Sequence, residues 1–149
     1  MATKLPIDTL TELARSRADE AARRLAALRE ANLSASRKLE LLQEYRLDYG
    51  AQLQSLLQAG LPAPQWRNYQ DFLKALDAGI DQQRAAAAQS EARLDHGRTD
   101  WQHQRRRLNA FETLAERLQR QQAVVQNRRE QRASDEHAAR MLLDRAARA

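Results

Sequence analysis

Apolar residues recur along this chain at alternating spacings of three and four positions, with one clear interruption. This is the spacing of a heptad repeat, in which the apolar positions form a narrow stripe that a partner helix covers. We call this stripe the seam. In the first stretch it runs without a break from Ile7 to Leu56, and in the second from Trp66 to Val125. The pattern predicts two long helices.

The interruption is the segment Gly60-Leu61-Pro62-Ala63-Pro64. Gly60 suits the left-handed conformation found just after a helix end. Pro62 lacks a backbone donor and disfavours helix at Leu61, whereas Pro64 fits the first turn of a new helix. We therefore predict a first helix over about 7–58, a turn over about 59–65 and a second helix over about 66–145.

The two stretches of the seam complement each other if the helices run antiparallel about this turn. Large residues then face small ones, as Leu25 faces Gly97, and Asn32 with Ser90 forms a polar layer able to fix the register. The other facing pairs include Leu56–Trp66, Leu53–Tyr69, Tyr49–Leu73, Leu42–Ile80, Ala35–Ala87 and Ala21–Trp101. The predicted fold is all-α and a single domain over residues 1–149. Two long helices form an antiparallel coiled-coil hairpin, and the second helix is longer than the first.

Composition and charge agree with this fold and narrow the partners. Charged residues make up 30% of the chain and aromatic residues 5%, a profile typical of long coiled-coil helices. The net charge of +5 is carried by 22 Arg and 3 Lys. The end of the second helix, Arg117–Ala149, has eight Arg against four acidic residues. Such a surface attracts nucleic acid, acidic membranes or an acidic protein partner.

The sequence offers no candidate catalytic residue, metal ligand set or cofactor site. It has no cysteine and no Gly-rich phosphate loop, and no apolar run long enough to span a membrane. The first six residues lack the apolar core of a signal peptide. His96 and His103 can share a helix face, but two solvated histidines are the simpler interpretation. We predict a soluble, cytoplasmic, non-enzymatic protein.

Two surface features leave alternatives open. Arg105–Arg107 lies close to Trp101 and suggests a nucleic-acid patch, although a solvated basic collar is the favoured interpretation. Phe72 begins a stripe that continues through Leu76, Gly79 and Gln83. Phe72 either widens the core by packing against Tyr45 or Gln52, or forms an exposed docking stripe for a partner protein.

The chain resembles the FliJ-type flagellar export proteins. The residues that carry the resemblance lie mainly between Leu39 and Ile80, and the block after the turn is the most specific. In this sequence they read Leu39, Leu42, Tyr45, Tyr49, Leu53 and Gly60, followed by Trp66-x-Asn68-Tyr69-Gln70-x-Phe72-x3-Leu76-x3-Ile80. The Leu10, Leu13, Ala14 opening and the Ala21-Ala22-Arg23 stretch are also similar to that family.

The resemblance implies a component of the flagellar type III protein export machine, peripheral to the cytoplasmic face of the inner membrane. Family members are similar to the central stalk of rotary ATPases, and their helix termini insert in the hexameric export ATPase. They also contact the cytoplasmic domain of the membrane export gate and recycle export chaperones. The implied gate-binding residues are Phe72, Leu76, Gly79 and Gln83.

For the ATPase ring we expect the contact residues at the start of the first helix and the basic end of the second. They are Leu10, Leu13, Arg117, Arg120, Arg128, Arg129 and Arg132. No cofactor and no nucleic acid is expected. The alternatives are a nucleic-acid-binding coiled-coil arm, the equivalent stalk protein of a virulence type III secretion system, and a passive or dimeric coiled-coil scaffold.

Overall fold

The computed structural model describes residues 6–149 as two helices joined by a short connection. Helix α1 spans Pro6–Ala59 and helix α2 spans Ala63–Arg148, with 54 and 86 residues. The two helices pack against each other as an antiparallel coiled-coil hairpin whose second helix is the longer. This confirms the predicted fold class. Residues 1–5, which include most of the segment inspected for a signal peptide, lie outside the described part.

The connection consists of Gly60, Leu61 and Pro62. Gly60 has a φ of +92°, and its N–H donates to the carbonyl of Leu57 at 3.3 Å, so it takes the left-handed position expected after a helix end. The carbonyl of Pro62 accepts from the N–H of Trp66 at 3.1 Å. This bond starts α2 at Ala63, a few residues before the position that the heptad pattern indicates, because Pro64 needs no hydrogen-bond partner in a first turn.

The chain groups into two units, and the larger comprises Ala18–His103. In this unit an ion pair joins Arg24 to Asp100 at 3.6 Å, and a second joins Arg46 to Asp77 at 2.7 Å. Residue numbers on α2 fall as those on α1 rise, which is the antiparallel order. The core lies along the seam, where Ala21, Leu25, Leu53, Leu73, Ile80 and Leu94 are buried.

At Gly97 the side chains of α1 lie directly against the backbone of α2. A Cβ atom built on Gly97 would lie 3.8 Å from Leu25 Cδ1 and would meet the Cδ1 methyl of Leu28. The predicted pairing of Gly97 with Leu25 is therefore confirmed. Asn32 and Ser90 are both half-buried but share no hydrogen bond among the described contacts. Instead, the side-chain amide of Gln83 donates to the carbonyl of Ala35 at 3.1 Å and bridges the helices there.

The second unit comprises residues 6–17 of α1 together with Gln104–Ala149. Thr11, Ala14 and Leu108 are buried on the seam, and the Thr11 hydroxyl donates to the carbonyl of Ile7 at 2.7 Å. Arg15 pairs with Glu112 at 3.3 Å across the two helices. From Glu116 to Ala149 every residue of this unit is exposed. We call Arg117–Ala149 the arm, since α2 continues there as a helix without cover from α1.

Two glycines in the interior of α2 provide a matched stability test. Gly79→Ala should raise the free energy of unfolding by about 0.5–1 kcal/mol, because alanine favours helix and no atom lies within 4 Å of the added methyl group. Gly97→Ala should gain clearly less or lose stability, because the Leu28 side chain must move. Urea unfolding followed by far-ultraviolet circular dichroism measures both. Equal gains would contradict the close approach at Gly97.

Candidate partner-binding surfaces

Phe72 lies on the surface of the larger unit and is also in contact with the core. Its ring meets the ring of Tyr49 edge to face, with 4.8 Å between centroids and 64° between planes. Phe72 nevertheless remains 45% exposed. The ring partner of Phe72 is therefore Tyr49. An aromatic ring that is fixed on one edge and open on the other is well suited to binding, because little side-chain entropy is lost on docking.

The rest of the stripe is less exposed than Phe72. Leu76 and Gly79 are half-buried. Nothing lies within 4 Å of a Cβ atom built on Gly79, so the helix surface is accessible there. Gln83 is held by its bond to Ala35. We name Phe72, Leu76, Gly79 and Gln83 together the Phe72 stripe. Phe72 is the most exposed apolar residue of the stripe, and the Gln83 side chain links the two helices.

Neighbouring side chains on α1 enlarge the apolar surface of this unit. Tyr45 and Leu41 are each 47% exposed, and Tyr49 is 36% exposed. The ion pair between Arg46 and Asp77 adds a charged contact between the helices in the same unit. Sequence reasoning missed the role of Tyr49, although a signal was present. Tyr49 faces Leu73 in the predicted alignment and therefore lies next to Phe72.

The residues expected at the ATPase ring all lie in the smaller unit. Leu10 and Leu13 on α1 are 45% and 48% exposed, although leucine more often packs inside. The five arginines expected at the ring lie in the arm and are exposed: Arg117, Arg120, Arg128, Arg129 and Arg132. Arg120 is 4.0 Å from Glu116 within the same helix, and the other four make no ion pair with any described residue. Their guanidinium groups remain available for an external acceptor.

The other candidates from the sequence are exposed, with the exception of Trp101. Arg105, Arg106 and Arg107 are exposed, and Trp101 is half-buried on the seam of its own unit. His96, His103 and His137 are also exposed. Over residues 6–149, no group of three or more His, Cys, Asp or Glu side chains is arranged to hold a metal ion. Neither described helix contains a stretch that is apolar enough to cross a bilayer.

Comparison with known proteins decides the family. A family profile described as "Flagellar FliJ protein" matches residues 3–147 of this chain. The chain belongs to the FliJ family. Two relatives named "Flagellar FliJ protein", from Salmonella typhi and Escherichia coli (strain K12), are 31% and 33% identical to it over 140 residues. Each alignment covers 94% of this chain and 95% of the relative. The resemblance to FliJ-type proteins is thereby confirmed over nearly the whole chain.

Two adjacent residues on α2 of this FliJ-family protein differ in burial, since Leu73 lies in the core and Phe72 on the surface. Leu73 is 8% exposed, so Leu73→Ala should cost about 2–4 kcal/mol of unfolding free energy. Phe72→Ala should cost only about 1–2 kcal/mol, because the residue is already 45% exposed and the variant loses one aromatic contact. Equilibrium unfolding of the two variants tests this order. If Phe72→Ala proved the more destabilising, Phe72 would be a core residue.

Proposed function

We propose that this chain is a non-enzymatic, soluble component of the flagellar type III protein export apparatus. In this proposal it acts as a rod-like central stalk that binds and stimulates the hexameric export ATPase. It also contacts the cytoplasmic domain of the export gate and helps to recycle export chaperones. It works in the cytoplasm, peripheral to the inner membrane. Membership of the FliJ family and two separate candidate surfaces support the proposal.

The observation that carries the stalk role is the arm. It is a continuous part of α2, exposed along its whole length, with eight arginines against four acidic residues. A helix in this state buries no apolar face of its own and gains stability when a partner encloses it. A channel lined by acidic side chains or carbonyl groups provides the matching acceptors. Leu10 and Leu13 add apolar contact at the start of α1 in the same unit.

The gate contact is proposed for the Phe72 stripe. Hot spots of protein interfaces are enriched in aromatic residues that already have a fixed geometry. Phe72 meets this description because Tyr49 holds one edge of its ring. Leu76 extends the apolar contact, and the open space at Gly79 lets a partner backbone approach the helix.

The alternative functions are less well supported by the same features. A single-stranded nucleic acid is usually held by aromatic side chains as well as cations, and the arm contains no Phe, Tyr or Trp. The relatives are named flagellar proteins, which favours the flagellar over the virulence export system.

The ring contact is tested by removing charge from the arm without shortening it. Arg128, Arg129 and Arg132 replaced together by Gln should weaken stimulation of the purified export ATPase at least about tenfold, since charge-assisted hydrogen bonds contribute roughly 1.5–3 kcal/mol each. The matched control is the triple replacement of Arg105, Arg106 and Arg107 by Gln, which removes the same charge outside the arm. ATP hydrolysis as a function of chain concentration is the measurement.

Truncation after Leu118 is a second, independent test of the ring contact. The shortened chain should bind the ATPase weakly and fail to stimulate it. If it stimulates as well as the full chain, or if both triple variants lose activity equally, the arm is not the ring-binding element.

The gate contact is tested with two residues of equal exposure in the same unit. Phe72→Ala should weaken binding to the cytoplasmic domain of the gate protein at least about tenfold, as expected for an aromatic anchor. Leu57→Ala is the control, because Leu57 is also 45% exposed. Affinity measured by calorimetry or surface plasmon resonance distinguishes them. Equal losses, or none for Phe72→Ala, would exclude the Phe72 stripe.

A further inference from the structure

The arm continues the heptad pattern of α2 beyond the residues that α1 covers. Its seam positions are occupied by Leu118, Gln122, Val125, Arg129, Arg132, Glu136, Ala139, Leu143 and Ala146. All are exposed, including Val125 at 47% and Leu143 at 70%. Four of these nine positions are polar or charged, so a second helix that covers the arm must match charges as well as apolar residues. The charged residues on the seam then determine which second helix fits.

An antiparallel copy of the arm fits this seam in one register. Val125 then faces Leu143 of the other chain, and Arg132 faces Glu136 of the other chain. The remaining layers pair Gln122 with Ala146 and Arg129 with Ala139. Every layer therefore joins two apolar residues, two opposite charges, or one long polar side chain and an alanine that leaves room for it. By the two-fold symmetry each of these pairs occurs twice.

The neighbouring registers do not match in this way. A shift by one heptad in one direction places Arg129 against Arg132 of the other chain, which is a like-charge contact. The opposite shift leaves Arg132 against Leu143 and Glu136 against Ala139, so that buried charges lack partners. A parallel pair in register stacks Arg129, Arg132 and Glu136 each on its own copy. Opposite charges at seam positions specify register and orientation, because the wrong pairings are repulsive or unpaired.

The local contacts of the arm leave these two charges free. Gln126 donates to Glu130 at 3.2 Å, and Gln131 donates to Asp135 at 3.1 Å, so those carboxylates have partners within the helix. Neither Arg132 nor Glu136 makes an ion pair or hydrogen bond through its side chain with a residue in the part of the chain that the structure describes. They are therefore available to a second helix.

We propose that the arm associates with the arm of a second copy of this chain, antiparallel, with Arg132 of each chain beside Glu136 of the other. The seam of the arm is thin, so the dimer is weak and forms as the protein concentration rises. It covers Arg129 and Arg132, two of the residues proposed for the ring. Self-association and entry into the ring therefore exclude each other. The dimer goes beyond the proposed function and does not depend on it; only its competition with the ring rests on that function.

Charge reversal tests the pairing directly. By sedimentation equilibrium, the full chain should form a concentration-dependent dimer, and Arg132→Glu or Glu136→Arg alone should weaken the dimer at least about tenfold, since each places like charges together twice. A mixture of the two variants should recover the association, because each seam contact between the two positions then joins a carboxylate of one variant to a guanidinium of the other. Each reversal changes the charge by two, so both chains keep the positive sign of the +5 parent and have no general attraction.

Cysteine pairs test the orientation, because the native chain has no cysteine. Chains with Val125→Cys mixed with chains with Leu143→Cys should form the mixed disulfide in preference to either homodimer, as judged by intact mass. Asn127→Cys mixed with Met141→Cys is the control, because both positions lie at the same level but point away from the seam. Three results would each overturn the proposal: a monomer at all concentrations, a mixture that associates no more tightly than the single reversals, or preferred homodimers of the Val125→Cys chain. The partner of the arm would then be a different protein.

Discussion

The structure depends on one constraint: each helix has a single narrow stripe to bury, and the other helix is what covers it. Small residues on α1 make this burial efficient, with Ala14, Ala18 and Ala21 between 1% and 5% exposed. The backbones approach closely where side chains are this small, and Gly97 serves the same purpose on α2. In residues 6–149 most side chains outside the seam are exposed, and the candidate binding residues lie among them or at their border with the seam.

Most of the fold could be predicted because the three–four spacing follows from helix geometry. Every predicted seam position up to Ala115 is buried or half-buried except Tyr49, which is at the limit of exposure. The polar contacts between the helices could not be predicted in the same way. Spacing assigns a residue to a face but does not select the rotamer of a long side chain. Thus Gln83 with Ala35, and Arg46 with Asp77, link the helices, whereas the alignment had suggested a polar layer of Asn32 and Ser90.

The sequence indicated which candidate residues lie beside the seam, but it could not give their contacts. For Phe72 the sequence offered either a core role or an exposed one, and the structure combines both, because a two-helix layer covers only one edge of a ring on its flank. Gln83 was expected in the docking stripe, yet its amide is engaged by the other helix. The arm follows from simple length, since α2 has 86 residues and α1 has 54. The charged residues at the seam positions of the arm, Arg129, Arg132 and Glu136, restrict which molecule can bind there.

In the proposed function each unit binds one class of partner: the gate binds Phe72 and its neighbours, and the ATPase binds the arm. Site-specific photo-crosslinking tests this assignment most directly. A photoreactive residue at Asp71, exposed beside Phe72, and another at Asn127, exposed in the arm, would be compared in the presence of both purified partners. We expect position 71 to crosslink to the gate domain and position 127 to the ATPase. Crosslinks from both positions to the same partner, or the reverse assignment, would contradict the account.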